Sequence, residues 1–332
     1  MRNIPLILSN VRIRGLGNVI ESQWFEVGSS LTFFAVPESF NRQGFLEALQ
    51  TINPPYNIEK IDPFRNYPTI TRQGKFQKRV RPHRRTIAYA IFTAQPLLVE
   101  ELAEITPHLY EADRIEVGRR FNYSRWVNFV EIAGSSRWSE ISREVLSLAS
   151  ENSLLFPASR MDQLNILKET DRVEDDLREY LNAVLLQMLQ SESQQKKGKL
   201  HELRFAVQRQ KHFANARKYV KEQLPLFHLI DSYTFAMPCS QRVAEISRFV
   251  EGIVYDFECG GTVPILLVNE PDLSLGEEEK KELRRICKDF SLKCQCFYFL
   301  NDSEYDAAAA EESKTLTLAD ILAREDSVLQ VS

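Results

Sequence analysis

The densest run of side chains able to do chemistry is at residues 72–85, where Arg72, Lys75, Lys78, Arg79, Arg81, Arg84 and Arg85 stand with His83 and no acidic residue. Cations at that density suit phosphate contacts, each adding salt-sensitive affinity for a nucleic acid. Phe76 and His83 lie among them and could stack on bases. The same composition also fits a solvated loop or a docking patch for an acidic partner. The chain's own C-terminal part, with Glu277, Glu278, Glu279, Asp302, Glu304, Asp306, Glu311 and Glu312, is one such partner. A weaker basic stretch, from Lys196 and Lys197 to Lys218 and Lys221, reads as the solvated face of a helix. Cys294 and Cys296, with Cys287 nearby, raise the question of zinc. On a strand, i and i+2 share a face at a tighter spacing than the C-x₂₋₄-C of tetrahedral sites, so buried thiols are expected and no metal ligand is assigned. The histidines His83, His108, His201, His212 and His228 form no i,i+4 pair and no HExxH. Ile20 occupies the third glycine position of a dinucleotide fingerprint after Gly15-Leu16-Gly17, and no GxSxG frames a nucleophile.

The elements that must position such groups follow from periodicity. Residues 5–8 and 11–13 read as edge strands leading into the Gly15-Leu16-Gly17 turn. Residues 30–36 form a continuous apolar run that fits a strand buried on both faces. A helix follows with Phe45, Leu46, Leu49 and Ile52 on one side, and Asn53-Pro54-Pro55 stops it. Strands are expected at 86–93 and 126–132, with helix near 97–105 between them. From 161 to 190 there is no Gly or Pro, and Val173, Leu177, Leu181, Val184 and Met188 recur with helical spacing, which predicts one long amphipathic helix. A second helix over 201–223 ends at Pro225, making a helical hairpin inserted between two α/β halves. A helix over 242–257 leads to Gly260-Gly261 and a strand at 263–268. Ser274-Leu275-Gly276-Glu277 has capping-box spacing and opens a helix striped with Leu283, Ile286, Cys287 and Phe290, and 294–300 reads as a buried strand.

Composition bounds what these elements can do. The 332 residues carry Lys+Arg 42 against Asp+Glu 46, a formal net charge of −4, with 43% hydrophobic residues. This excludes a disordered chain, a collagen-like repeat and a disulfide scaffold. No apolar run approaches the roughly 18 residues of a membrane span, and the five cysteines are an odd number for a disulfide framework. A cytoplasmic protein with reduced thiols and no membrane partner is expected. Gly 12 is about half of an average usage of roughly 7%, which leaves few places for a backbone loop that cradles phosphate.

Three segments fall in an order that resembles the ABC-type P-loop ATPases of the RecF-like and SMC-like head class. Residues 31–49, LTFFAVPESFNRQGFLEAL, are similar to the strand, phosphate loop and Leu-Glu-Ala-Leu helix start of that family. Ile265-Leu266-Leu267-Val268-Asn269-Glu270-Pro271-Asp272 is similar to its hhhhDEP strand, and residues 294–302 sit where its next strand ends in a catalytic His. The helical hairpin would stand in for the family's coiled coil. The resemblance implies an α/β fold of the P-loop NTPase, ABC/SMC-head type, with an antiparallel β portion. It divides the chain into an N-terminal lobe at 1–156, an inserted hairpin at 157–225 and a C-terminal lobe at 226–332, the two lobes forming one domain.

Carried over residue by residue, the resemblance puts Val36 and Asn41 at the two glycine positions of the phosphate loop. Arg42 stands at its lysine and Gln43 at its metal-binding hydroxyl. Asn269 stands where an aspartate holds the Mg²⁺ shell, and Glu270 is retained at the general base. Pro238-Cys239-Ser240-Gln241 replaces the Ser-Gly-Gly-type signature turn, and Leu300-Asn301 replaces the histidine. This pattern implies a pseudo-ATPase with no cofactor expected. Such a chain would be a structural or regulatory partner of an active ATPase or nuclease subunit, or of a second copy of itself, near DNA in repair, chromosome maintenance or anti-phage defence. Two alternatives remain open: a divergent ATPase that still binds or slowly hydrolyses ATP with Mg²⁺, and a DNA-binding module that uses residues 72–85.

Overall fold

Leu31–Val36 is buried at every position, the pattern of a strand inside a parallel sheet with both faces covered. The structure, a computed structural model, describes residues 4–14, 22–61, 63–64, 70–71, 79–80, 85–191, 194–304 and 314–322. The chain runs β1 (Leu6–Ile13), β2 (Phe25–Glu26), β3 (Leu31–Val36), α1 (Arg42–Gln50), α2 (Ile58–Ile61), β4 (Ile70–Thr71), β5 (Arg79–Val80), β6 (Thr86–Ala94) and α3 (Pro96–Ile105). It continues through β7 (Arg114–Arg120), β8 (Arg125–Phe129), α4 (Trp138–Glu151), α5 (Ala158–Asn165), α6 (Asp175–Ser191) and α7 (Gln194–Gln223). The last part holds β9 (Leu226–Ile230), α8 (Cys239–Glu258), β10 (Pro264–Asn269), α9 (Glu277–Ser291), β11 (Gln295–Asn301), β12 (Lys314–Thr317) and α10 (Leu318–Ile321). The fold is mixed α/β and forms two compact units. One comprises Met1–Leu98, Asp113–Asn128 and Lys221–Ser332; the other comprises Val99–Ala112 and Phe129–Val220.

The first unit contains two sheets. One is parallel, in the order β12-β3-β11-β10-β9, and the other is antiparallel, in the order β2-β1-β6-β7-β8. Helices α8 and α9 cover one face of the parallel sheet, where Ile246, Val250, Leu283 and Phe290 join Phe33, Leu266 and Tyr298 in one core. On the other face Phe34 and Phe299 stack with ring centroids 4.3 Å apart, and Phe45 of α1 lies 5.6 Å from Phe299. Helix α1 also touches β1 and β6, so it lies between the two sheets. Gln295 clips the sheets together. Its side chain accepts from Leu8 N–H at 2.8 Å and donates to Leu8 C=O and Gly28 C=O, both at 2.8 Å. Leu8 sits where the β1–β6 pairing shifts register, so a side chain satisfies backbone groups that the ladder does not.

Several sequence expectations change. The segments at 5–8 and 11–13 are one strand between β2 and β6 rather than edge strands, because the irregularity between Leu8 and Asn10 is absorbed without ending the pairing. The helix expected over 161–190 is broken into α5 and α6. Between them Lys168 N–H bonds the Asp171 side chain at 2.9 Å. The carbonyls of Asp171 and Glu169 accept from Trp138 and Ser139 N–H at 2.7 and 3.1 Å, and so satisfy the first turn of α4. Val173, Leu177, Leu181, Val184 and Met188 are all buried, but local bonds over 166–174 interrupt the helix. Nor is the insertion a bare hairpin: Trp138, Ile141 and Val145 of α4 share a core with α5, α6 and α7, which draws residues 129–156 to the helical unit rather than the N-terminal lobe. Helix α9 starts two residues later than the Ser274 box implies. Gly276 is its N-cap, Glu279 accepts from Gly276 N–H at 2.8 Å, and Ser274 adopts a left-handed φ of 52°. Gly260, at φ 112°, follows the C-cap of α8, so it terminates that helix. Cys287, Cys294 and Cys296 are buried, and burial pushes the Cys294 thiol up to about 12.

Candidate functional site at the strand ends

All strands of the parallel sheet end at one edge. Their register brings Val36 beside Asn301, Asn269 beside Phe299, and Val268 beside Ile230. This carboxyl edge, with a helix beginning above it, is where open parallel sheets receive ligands. The loop from β3 to α1 is short, and Asn41 closes it as the N-cap, its side chain accepting from Gly44 N–H at 3.0 Å.

The side chains at this edge form two sets of hydrogen bonds, one around Arg42 and one around Gln43. Arg42 reaches Asn301 Oδ1 at 2.8 Å and also donates to the carbonyls of Val36 and Pro37 at 3.3 and 3.4 Å. A guanidinium is thus drawn onto the loop's own carbonyls and onto the end of β11. Gln43 accepts from Asn269 Nδ2 at 3.2 Å and donates to Glu47 at 3.0 Å and to Asp231 at 2.9 Å. Burial raises the Glu47 pKa, the Gln43 hydrogen bond lowers it in part, and the Asp231 charge raises it again. The structure therefore brings Asn41, Arg42, Gln43 and Asn269 together. Asn269 Oδ1 is buried and has no hydrogen-bond partner among the described residues.

Glu270 follows β10 and is completely buried. Arg284 of α9 grips it with two bonds, Nε to Oε2 at 2.9 Å and Nη2 to Oε1 at 2.8 Å, and the Tyr298 hydroxyl donates to Oε2 as well. Partial burial pulls the Arg284 pKa down, but the hydrogen bond and charge of Glu270 outweigh it and hold it above the ordinary arginine range. Burial and then the Glu270 charge push Tyr298 well above the usual phenol range, so it stays a donor. Neither partner of Glu270 was singled out from sequence. The available signal was Tyr298 itself, since a tyrosine inside an apolar strand needs a partner for its hydroxyl.

Ser240 lies in the first turn of α8, after the N-cap Pro238. The turn before it is held by Arg242, whose Nε and Nη2 donate to Phe235 and Met237 carbonyls at 3.1 and 2.8 Å and whose Nη1 donates to the Leu273 carbonyl. Of the basic cluster, Arg72, Lys75, Lys78, Arg81 and Arg84 lie outside the described residues; Arg79 is in β5 and Arg85 directly precedes β6.

Solved structures similar to the chain include the recombination mediator protein RecF with ATP, of the RecFOR pathway, at 13% identity over 92% of this chain and 95% of that one, with a TM-score of 0.35. They also include an Smc head domain with an extended coiled coil bound to the C-terminal domain of ScpA, from Pyrococcus furiosus, at 10% identity over 89% and 90% with a TM-score of 0.37. An SMC head domain from Thermotoga maritima matches at 9% identity over 90% of each chain, with a TM-score of 0.28. No family model and no curated protein matches the chain.

Proposed function

We propose that this chain is a catalytically inactive ATPase-like head of the ABC type, acting as a structural or regulatory subunit of a DNA-associated complex. The observation that carries this reading is the pair of hydrogen bonds Arg42–Asn301 and Gln43–Asn269 at the strand ends. In a working site of this kind a lysine and backbone N–H groups meet phosphate, and a hydroxyl and a carboxylate hold Mg²⁺. Here Arg42 is taken up by Asn301 and the loop carbonyls, and Gln43 and Asn269 hydrogen-bond each other. The unpartnered Asn269 Oδ1 is a single neutral oxygen, a poor ligand for a hard divalent cation that favours carboxylate and phosphate oxygens. These residues do not fit Mg²⁺-ATP. An active ATPase or nuclease subunit, or a second copy of the chain, would supply the chemistry this head lacks.

The retained carboxylate of Glu270 favours a second reading, a divergent ATPase. Its surroundings weigh against that reading: the carboxylate is completely buried and both oxygens are taken up by Arg284 and the Tyr298 hydroxyl, whereas a general base must have an oxygen within reach of the proton it takes. Phosphate release from ATP with Mg²⁺, measured for the wild type and for Glu270→Gln, separates the two. The proposal expects both to match buffer; release that disappears in Glu270→Gln would establish the divergent enzyme.

A further inference from the structure

The antiparallel sheet buries alternate residues of β1 and β6, among them Leu8, Val11, Ile13, Ala90 and Phe92, and turns the others outward. Its outward face carries an aromatic row. Tyr89 pairs with Arg12 on one side and with Gly118 on the other, and Trp24 stands one step beyond the Val11–Phe25 pair, next to Arg12. The Trp24 and Tyr89 rings are 5.9 Å apart at 68°, and the Tyr89 and Trp126 rings are 6.0 Å apart at 75°. All three rings are half-buried. Trp126 lies directly over Gly118, where an added Cβ would meet the indole at 2.3 Å, so only glycine admits the ring there. The indole Nε1–H is held by Thr86 Oγ1 at 3.0 Å, and Arg14 donates to the Tyr89 hydroxyl at 3.2 Å. Trp126 and Tyr89 are thus each held by a hydrogen bond, and Trp24 packs edge-on against Tyr89.

The charge of this face is biased. Strand alternation puts Arg12, Arg14, Arg114 and Arg120 outward, against Glu116 and Glu26, and Glu26 is engaged by Lys314 at 3.3 Å. Rigid aromatic rings alone would suit many apolar ligands. Rings interleaved with arginines suit one that is planar and anionic at regular intervals, because bases stack on rings whatever their identity while guanidinium groups meet phosphate. We propose that the outward face of the antiparallel sheet binds single-stranded nucleic acid, with bases stacking on Trp24, Tyr89 and Trp126 and the arginines of that face meeting the phosphates. A duplex keeps its bases paired and stacked internally and cannot present them to this row. The inference does not depend on the ATPase-like reading and stands if ATP turnover is found.

The test is titration of the purified chain with a 15-nucleotide oligo-dT, read by tryptophan fluorescence and by anisotropy of the labelled strand. Trp24 and Trp126 are two of the three tryptophans, and the third, Trp138, is buried in the helical unit, so stacking reports directly as quenching. Saturable, salt-sensitive binding with quenching is expected, and weaker binding to a duplex of equal length. Trp24→Ala should lower affinity about tenfold, the effect of one lost stack, while Trp24→Phe keeps most of it. Arg12→Gln should reduce the slope of log affinity against log salt by about one. Thermal unfolding of each variant confirms that it is folded. Absence of saturable binding at low salt, binding without quenching, equal or tighter binding of the duplex, or unchanged affinity in a folded Trp24→Ala protein would each overturn the proposal.

Discussion

Glu270 faces three donors in a dry setting, and its neighbours were chosen by burial as much as by charge. Removing Arg284 would leave a buried carboxylate without its counter-charge, an arrangement that typically costs about 3–5 kcal/mol. Arg284 keeps about a third of its side chain in solvent, so Arg284→Ala is expected to lose about 2–4 kcal/mol in urea unfolding. A loss below about 0.5 kcal/mol, the level of an ordinary surface substitution, would mean that the clamp is not structural. His228 gives a second residue-scale prediction. Burial in β9, where its ring lies 5.9 Å from Phe249, lowers its pKa to about 4. The unfolded chain then binds the proton more readily than the fold, so this contribution to stability is present above the ordinary histidine range near 6.5 and is lost as pH falls toward 4. Wild type should lose about 1–2 kcal/mol more than His228→Leu between pH 7 and pH 4.5, allowing for partial exposure. Parallel pH profiles would remove His228 as the cause.

At the scale of elements, much of the first unit was legible because its signals are local. The all-apolar run of β3, the proline stop after α1 and the acidic first turn of α9 each state their own structure. What was not legible depends on partners far along the chain. Nothing near Gln295 in sequence indicates that it completes the hydrogen bonding of Leu8, 287 residues away. Nor does the apolar stripe that runs along α6 reveal that Asp171 and Glu169, just before it, cap the start of α4. Gln295→Leu tests the clip. It leaves the Leu8 N–H and C=O buried and unpaired, so a loss of about 2–4 kcal/mol is expected in chemical denaturation. A loss under 1 kcal/mol would mean that the two sheets are held by apolar packing alone. The C-terminal end of α1 has a related dependence. Arg119, buried and lowered to about 10 chiefly by that burial, donates to Thr51 and Ile52 carbonyls at 2.5 and 3.1 Å. A planar fork serves two carbonyls at once, so Arg119→Lys should lose at least about 1 kcal/mol despite keeping the charge.

For the whole molecule, the candidate site was legible as a set of positions but not as a set of interactions. The substitutions at Asn41, Arg42, Gln43 and Asn269 can be read from the chain; that Gln43 meets Asn269 and Arg42 meets Asn301 cannot, because the contributing strand ends are more than 200 residues apart. The central claim is that these hydrogen bonds take the place of bound nucleotide rather than awaiting it. Isothermal titration of the chain with ATP and Mg²⁺ to millimolar concentration tests this most directly. The account predicts no saturable heat and no shift in thermal midpoint with or without Mg²⁺. Saturable binding that requires Mg²⁺ and weakens when Arg42 or Gln43 is replaced by Ala would contradict it.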